Sequence, residues 1–368
     1  MSEWQNTTLG DVITLHYGKA LKTQNRIVGN IPVYSSAGIT GYHNEPLVMS
    51  KGIIIGRKGT VGKVYYSPEP FWCIDTAYYV LPNETKYDFI WLYYQLGTIG
   101  LEELNEDSAV PGLNRTTAYS QDILIPSIAE QKAIASVLSS LDDKIDLLHR
   151  QNKTLESMAE TLFRQWFVEE AQDDWVHGTL KDEFAFTMGQ SPKGSSFNEE
   201  QIGTPMFQGN ADFGFRFPKE RVYTTEPTRF AQKLDTLISV RAPVGAQNMA
   251  RSKCCIGRGV AAFRHINNPD WYTYTYFKLR CLMDEIKKFN DEGTVFGSIS
   301  KSDFEKIEVI IPPASIIHNY EIMVKPLNDR VITNCFQIEK LEKLRDTLLP
   351  KLMSGEVRVS YTPEEIKQ

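Results

Sequence analysis

The sequence predicts an α+β protein. Two mixed α/β domains follow one another in tandem, separated by two long α-helices that pack as an antiparallel coiled coil with internal pseudo-twofold symmetry. Three observations carry this. Residues 120–167 and 306–353 superimpose without a gap at an offset of 186, so that Leu141-Asp142-Asp143-Lys144-Ile145 falls on Leu327-Asn328-Asp329-Arg330-Val331. A weaker echo upstream sets Trp4, Leu9, Asp11 and Gly18 on Trp175, Leu180, Asp182 and Gly189, and Val61-Gly62 on Val244-Gly245. In each half, short strand signals give way to a heptad pattern.

Each half opens on strands. Gly52-Ile53-Ile54-Ile55-Gly56, Lys63-Val64-Tyr65-Tyr66, Leu237-Ile238-Ser239-Val240 and Ile307-Glu308-Val309-Ile310-Ile311 are β-branched or aromatic runs cut by glycine, proline and serine. Short helices are expected over 87–97 and 270–288. After Pro126, Ile134, Leu141, Leu148, Leu155 and Leu162 recur every seven residues, with Leu138, Ile145, Asn152, Ala159 and Trp166 as the companion row. After Pro312-Pro313 the rows are Tyr320, Leu327, Asn334, Leu341, Leu348 and Val324, Val331, Ile338, Arg345, Leu352. This is an a/d seam over about five heptads. Only a short stretch separates the first helix from Trp175, so the second helix must run back to bury its seam. The expected segments are 1–126, 127–169, 170–312, 313–355 and a tail, 356–368.

The composition is that of a globular protein: 368 residues, 42% hydrophobic and 23% charged. There is no apolar run of membrane-spanning length and no leader pattern at Met1-Ser2-Glu3-Trp4. Five cysteines without C-x-x-C spacing fit a reducing cytoplasm better than a disulfide framework or a zinc site. The six histidines are scattered, with no second ligand at helical spacing. Net charge is −6, yet Lys51–Lys63 holds four bases and no acid, and Arg241–Arg264 holds five and no acid. These windows occupy corresponding places in the repeats, and a local patch of this kind attracts phosphate on an acidic chain.

Three near-motifs for chemistry fall short. Gly56-Arg57-Lys58-Gly59-Thr60-Val61-Gly62-Lys63-Val64 has one residue too many for a P-loop and lacks its Ser/Thr, so a basic hairpin is the better reading. Asn268-Pro269-Asp270-Trp271 lacks the second proline of an aminomethyltransferase loop and reads as a turn starting a helix. Pro269-Asp270 with Glu285-Ile286-Lys287 matches a nuclease pattern, but Asp284 to Phe289 reads as a helix rather than a core strand.

Ile125-Pro126-Ser127-Ile128-Ala129-Glu130-Gln131-Lys132-Ala133-Ile134-Ala135, Leu141-Asp142-Asp143-Lys144-Ile145 and the closing Arg345-Asp346-Thr347-Leu348-Leu349-Pro350-Lys351-Leu352-Met353-Ser354-Gly355-Glu356 resemble the specificity subunit of type I restriction–modification systems. The resemblance covers essentially the whole chain. It departs at Ala314-Ser315-Ile316-Ile317, which stands where a Glu-Gln pair is expected. The resemblance implies two target recognition domains, each reading half of a split double-stranded DNA site, with the helices setting the spacer. Two DNA methyltransferase (modification) subunits would dock on the chain, and motor–nuclease (restriction) subunits would join them. S-adenosylmethionine, ATP and Mg would belong to those partners, with no cofactor or metal in this chain and no catalytic residue of its own.

Given that role, bases should hold phosphates and polar side chains should read base edges. The candidates in the first domain are Lys19, Lys22, Arg57, Lys58, Lys63 and Arg115, with Ser35, Ser36 and Asn114 as readers. In the second they are Lys193, Arg216, Arg241, Arg251, Lys253, Arg258 and Lys301, with Gln208 and Asn210 as readers. Gly18 and Gly189 are candidates for close approach to the duplex. The differing polar sets predict an asymmetric site. Phe163, Trp166, Phe167, Leu348, Leu349, Leu352 and Met353 at the helix ends have two readings, partner docking or packing on the chain's own domains, with a terminal strand at Val357 and Val359. Two other functions stay open at this point: a duplicated coiled-coil scaffold that binds proteins, and an autonomous DNA methyltransferase or nuclease.

Overall fold

The structure, a computed structural model, describes residues 4–83, 85–104, 112–288 and 297–360. The chain divides into two compact units, Met1–Asp146 with Glu339–Gln368, and Leu147–Ile338. The sequence segments set the long helices apart from the domains, whereas contacts divide each helix between the units.

In the first unit β1 (Gln5–Thr8) leads through α1 (Leu9–Val12) to β2 (His16–Tyr17), β3 (Ile31–Ser35), β4 (Gly38–His43), β5 (Gly52–Gly56), β6 (Val64–Ser67), β7 (Trp72–Cys73) and β8 (Ala77–Val80). Then come α2 (Phe89–Leu96), α3 (Arg115–Tyr119), β9 (Asp122–Ile125) and the long α4 (Ile128–Arg164). The sheets are β1-β9, β2-β8-β5-β6 and β4-β3-β7. All five residues of β5 are buried, as expected for an unbroken apolar run at the middle of a sheet. The Gly56–Lys63 stretch is the β5–β6 hairpin turn: Gly56 N–H donates to the Lys63 carbonyl (2.8 Å) and Gly62 N–H to the Gly56 carbonyl (2.8 Å). Gly62 sits at φ +72°, where a side chain would strain the backbone.

The second unit repeats the plan. It contains β10 (Val176–Thr179), α5 (Leu180–Glu183), β11 (Phe184–Met188), β12 (Phe197–Asn198), β13 (Thr204–Phe207), β14 (Tyr223–Thr224), β15 (Phe230–Ala231), β16 (Thr236–Ser239), β17 (Gln247–Met249), β18 (Cys254–Ile256) and β19 (Val260–His265). It continues with α6 (Tyr272–Cys281), α7 (Met283–Lys287), α8 (Lys301–Lys306), β20 (Glu308–Ile311) and α9 (Ala314–Met353). The sheets β10-β20, β11-β19-β16-β17 and β12-β14-β13-β18-β15 match those of the first unit strand for strand, with β12 and β15 added. Gly245, the partner of Gly62 in the sequence repeat, has φ +87°.

The long helices run antiparallel within each unit. In the first, Arg345 pairs with Asp142 (2.8 Å) and Arg358 with Glu130 (3.0 Å). In the second, Asn334 donates to Asn152 (2.9 Å) and the Tyr320 hydroxyl to the Ala159 carbonyl (3.2 Å). Ile145, Leu148, Val331 and Ile338 are buried seam residues, and Leu141, Leu155 and Leu341 are half-buried. Toward the helix ends the seam changes partner. Ile134, Leu138 and Leu348 join the first unit's core, and Val324, Leu162 and Leu327 join the second's. Phe163, Phe167, Leu352 and Met353 are core residues, with Trp166 and Leu349 packed against them. The structure therefore gives these apolar helix ends to the chain's own units. Val357 and Val359 form no strand.

Pro326 lies inside α9, within the stretch where the seam continues. A proline there removes one backbone donor, the bond that residue would make to Ile322, without ending the helix. Ser127 starts α4, its hydroxyl accepting from Glu130 N–H (3.3 Å). The Glu130-Gln131 pair then ties that helix end down. Glu130 accepts from Trp4 Nε1 (3.1 Å), while Gln131 accepts from Asp88 N–H (2.7 Å) and donates to the Pro126 carbonyl (2.9 Å). At the corresponding point of α9, Ile317 is buried and Ile316 packs on the core, so apolar burial replaces the polar tie. No helix among the described residues is long and apolar enough to cross a membrane.

Candidate nucleic-acid interface

In the first unit the hairpin bases meet the loop before α3. The N–H groups of Arg57 and Lys58 both donate to the Thr76 carbonyl (2.9 and 3.0 Å), and Thr76 Oγ1 accepts from Ser36 N–H (3.3 Å). Arg57's own carbonyl accepts from Leu113 N–H (2.8 Å). The Arg57 and Arg115 guanidiniums lie 5.4 and 5.3 Å from the centre of the Tyr17 ring, which is 53% exposed. Cation–π attraction holds both there. Lys19 joins the rim: its N–H donates to the Cys73 carbonyl (2.9 Å), and its own carbonyl accepts from Trp72 Nε1 (2.8 Å). Lys22 is exposed and precedes a 3-10 turn, Thr23–Asn25.

Other candidates have local duties. Ser35 Oγ donates to the Gly38 carbonyl (3.2 Å) and accepts from Ala37 N–H (3.2 Å), which uses it in the β3–β4 turn. Ser36 is buried. Asn114 caps α3, accepting from Thr116 N–H (2.8 Å). Lys63 belongs elsewhere. It lines a cleft of about 640 Å³ with Tyr93, Tyr94, Asp142 and Arg345. There Asp142 accepts from both the Tyr94 hydroxyl (2.6 Å) and Arg345 (2.8 Å).

In the second unit Ser191 ties two candidates together. Its hydroxyl donates to Gln208 Oε1 (3.0 Å) and accepts from Arg258 N–H (3.3 Å). Lys193 is exposed two residues on, and half-buried Asn210 opens a 3-10 turn. Arg241 is exposed in an isolated bridge to Ser298. Lys253 lies over Phe230 (4.4 Å), and Lys301 pairs with Glu305 (3.5 Å). Arg251 lies over Phe336 of α9 (4.8 Å).

Arg216 is a correction. Its side chain is fully buried, 4.0 Å from the centre of the Tyr276 ring and 3.1 Å from Glu156 of α4. Glu156 also takes Arg280 (2.8 Å). A guanidinium placed there cannot reach solvent, let alone a duplex; it holds α4 to the second unit. Gly18 and Gly189 are a second correction. A Cβ at Gly18 would lie 2.0 Å from the Ile74 carbonyl oxygen, and one at Gly189 would lie 2.1 Å from that of Gly257. Their missing side chains let the chain cross its own backbone, not DNA.

The near-motifs settle as turn and helix. Asn268 Oδ1 accepts from Asp270 N–H (3.0 Å) at the start of α6. Glu285 and Lys287 lie on the helix α7, while Phe289 falls outside the described residues. Tyr17, Tyr78, Thr76 and Ser191 were not singled out from the sequence. The one trace of them is positional, Tyr17 preceding Gly18 and Ser191 following Gly189 by two.

The fold and this rim define a class: a duplicated α+β recognition scaffold with two long antiparallel helices, carrying different basic and polar groups in its two copies. The chain belongs to the family described as the type I restriction modification DNA specificity domain, which matches residues 1–157 and 172–343. It is 31% identical over 333 residues to the MjaX type I restriction enzyme specificity subunit of Methanocaldococcus jannaschii, covering 83% of this chain and 77% of that one. It is 25% identical over 347 residues to the MjaIX specificity subunit of the same organism, covering 85% and 79%. In fold it is similar to the S subunit of a type I restriction–modification system from M. genitalium, with a TM-score of 0.70 over 98% of this chain and 97% of that one, at 19% identity. The chain is thus a specificity subunit of the type I class.

Proposed function

We propose that each unit reads one half of a bipartite, asymmetric double-stranded DNA site, and that α4 and α9 set the unread spacer and dock two DNA methyltransferase subunits. Restriction subunits join that assembly. Chemistry on the DNA, with S-adenosylmethionine, ATP and Mg, belongs to the partners. The observation that carries this reading is one scaffold bearing two different polar sets: Arg57 and Arg115 on Tyr17 in the first unit, Ser191 with Gln208 and Arg258 in the second. The two copies of the scaffold carry their polar groups at different positions as well as in different kinds, and unlike surfaces read unlike sequences.

The test uses the chain assembled with its methyltransferase partners. Neutralising Lys58 and Arg115 together removes two phosphate contacts, so the slope of log affinity against log salt should flatten by about 2. Lys63→Ala, outside the cluster, should leave the slope alone. An unchanged slope in the double variant removes this rim from the DNA interface.

A further inference from the structure

We infer that Arg57 is a base reader specific for guanine, not a phosphate contact; this rests on the DNA-binding reading above. A phosphate contact needs charge and tolerates many orientations. Reading a base edge needs a planar fork held in one orientation. Arg57 is held at every level. Its backbone N–H and carbonyl are bonded to the Thr76 carbonyl and Leu113 N–H. Its Nε–H and one Nη2–H grip a single acceptor, the Asp75 carbonyl oxygen, at 3.1 and 2.6 Å. Its plane is fixed by two rings, Tyr17 at 5.4 Å and Tyr78 at 5.8 Å. Tyr78 is itself buried, and its hydroxyl donates to the Leu113 carbonyl (3.2 Å).

This grip uses the side-on edge of the guanidinium. The end-on edge, Nη1–H with the second Nη2–H, has no partner among the described residues. Nor is Arg57 in an ion pair with any described carboxylate. Two parallel donors at a fixed separation match the O6 and N7 acceptors of guanine in the major groove. Arg115 makes the contrast. It shares the Tyr17 ring but has no fixed acceptor for its guanidinium among the described residues, which suits a phosphate.

The assembled complex is tested on duplexes carrying its own methylation site, with each guanine replaced in turn by 7-deazaguanine, which lacks the N7 acceptor. At one guanine the wild-type complex should lose affinity by roughly 10- to 150-fold, the worth of one hydrogen bond from a charged donor. Arg57→Met keeps the length of the side chain but has no donor for N7 or O6, so it should bind measurably through the other contacts and lose nothing further at that guanine. Tyr17→Phe should behave as wild type, and Tyr17→Ala should blunt the discrimination. If Arg57→Met keeps the wild-type sensitivity at every guanine, or the site contains no guanine that responds, the assignment is wrong. If Lys58 and Arg115 together leave the salt slope unchanged, the broader reading has failed instead.

Discussion

Replacing Arg216 separates a buried structural base from the exposed bases proposed to meet DNA. Its guanidinium has no exposed side-chain surface, lies on Tyr276, and supplies one of two cations to Glu156. Arg216→Met retains an unbranched apolar side chain against the ring but leaves Glu156 to Arg280, whose side chain is 36% exposed. Breaking a buried pair by removing one partner costs about 3–5 kcal/mol, chiefly for the charge left behind. The remaining arginine and the retained packing put Arg216→Met near the lower bound, about 3 kcal/mol. With a urea dependence of about 1–3 kcal/mol per molar, the unfolding midpoint of the second unit should fall by about 1–3 M with an unchanged slope. Tryptophan fluorescence follows it, with Trp175 and Trp271 in that core. Adding Glu156→Gln removes the stranded charge, so the double variant should regain about 1–2 kcal/mol. Arg258→Ala, on the exposed rim, should move stability by less than about 0.5 kcal/mol and act on DNA affinity instead. If Arg216→Met unfolds like the wild type and loses DNA binding, the burial argument fails.

Two further outcomes follow from buried polar groups in the second unit. Burial lifts Glu321 to about 7 and lowers His265 to about 4. The Glu321 cost is absent at low pH and grows as pH rises from about 4.5 to 7, while the His265 contribution is complete above about 6.5 and is lost toward pH 4. The opposing slopes, each about 3 kcal/mol in full, offset one another; Glu321→Gln should unmask stability that falls on acidification, and His265→Gln stability that rises, read as thermal midpoints from pH 4.5 to 7. Asn152 and Asn334 are bonded to each other and buried, so either single change to leucine should cost about 1–3 kcal/mol by stranding its partner, and the double change should recover most of it; two additive losses would disprove the pairing.

The architecture was legible because it rests on patterns the chain states locally or twice. β5 ends where its glycines stand, and Gly62 and Gly245, aligned by the repeat alone, both take up a left-handed turn conformation. The heptad rows placed the long helices and set Asn152 and Asn334 on seam positions, but left open whether they are buried, while Pro326 shows that packing along both helices can hold a helix through a residue that isolated propensity would use to break it. The site was only half legible. Arg216, Arg251 and Arg258 look alike as exposed-type bases in an unfolded chain. What separates them is distant in sequence: Glu156 and Tyr276 for the first, Phe336 for the second, and only the neighbouring Ser191 turn for the third.

If Arg57 and Gln208 read bases as proposed, the same long-range logic explains why such readers are harder to find than phosphate contacts. A lysine needs only to be exposed, which composition makes the common outcome for Lys19, Lys58 or Lys193. A reader needs a second residue to fix its orientation. In the first unit that residue is Asp75, through its backbone carbonyl, so the Asp75 side chain carries no signal of the role at all. In the second it is Ser191, whose hydroxyl occupies Gln208 Oε1 and leaves the amide Nε2–H groups to present a donor pair. On the proposed reading, specificity rests partly on backbone positions, and changing a reader without its support should broaden the recognised site more readily than it re-targets it.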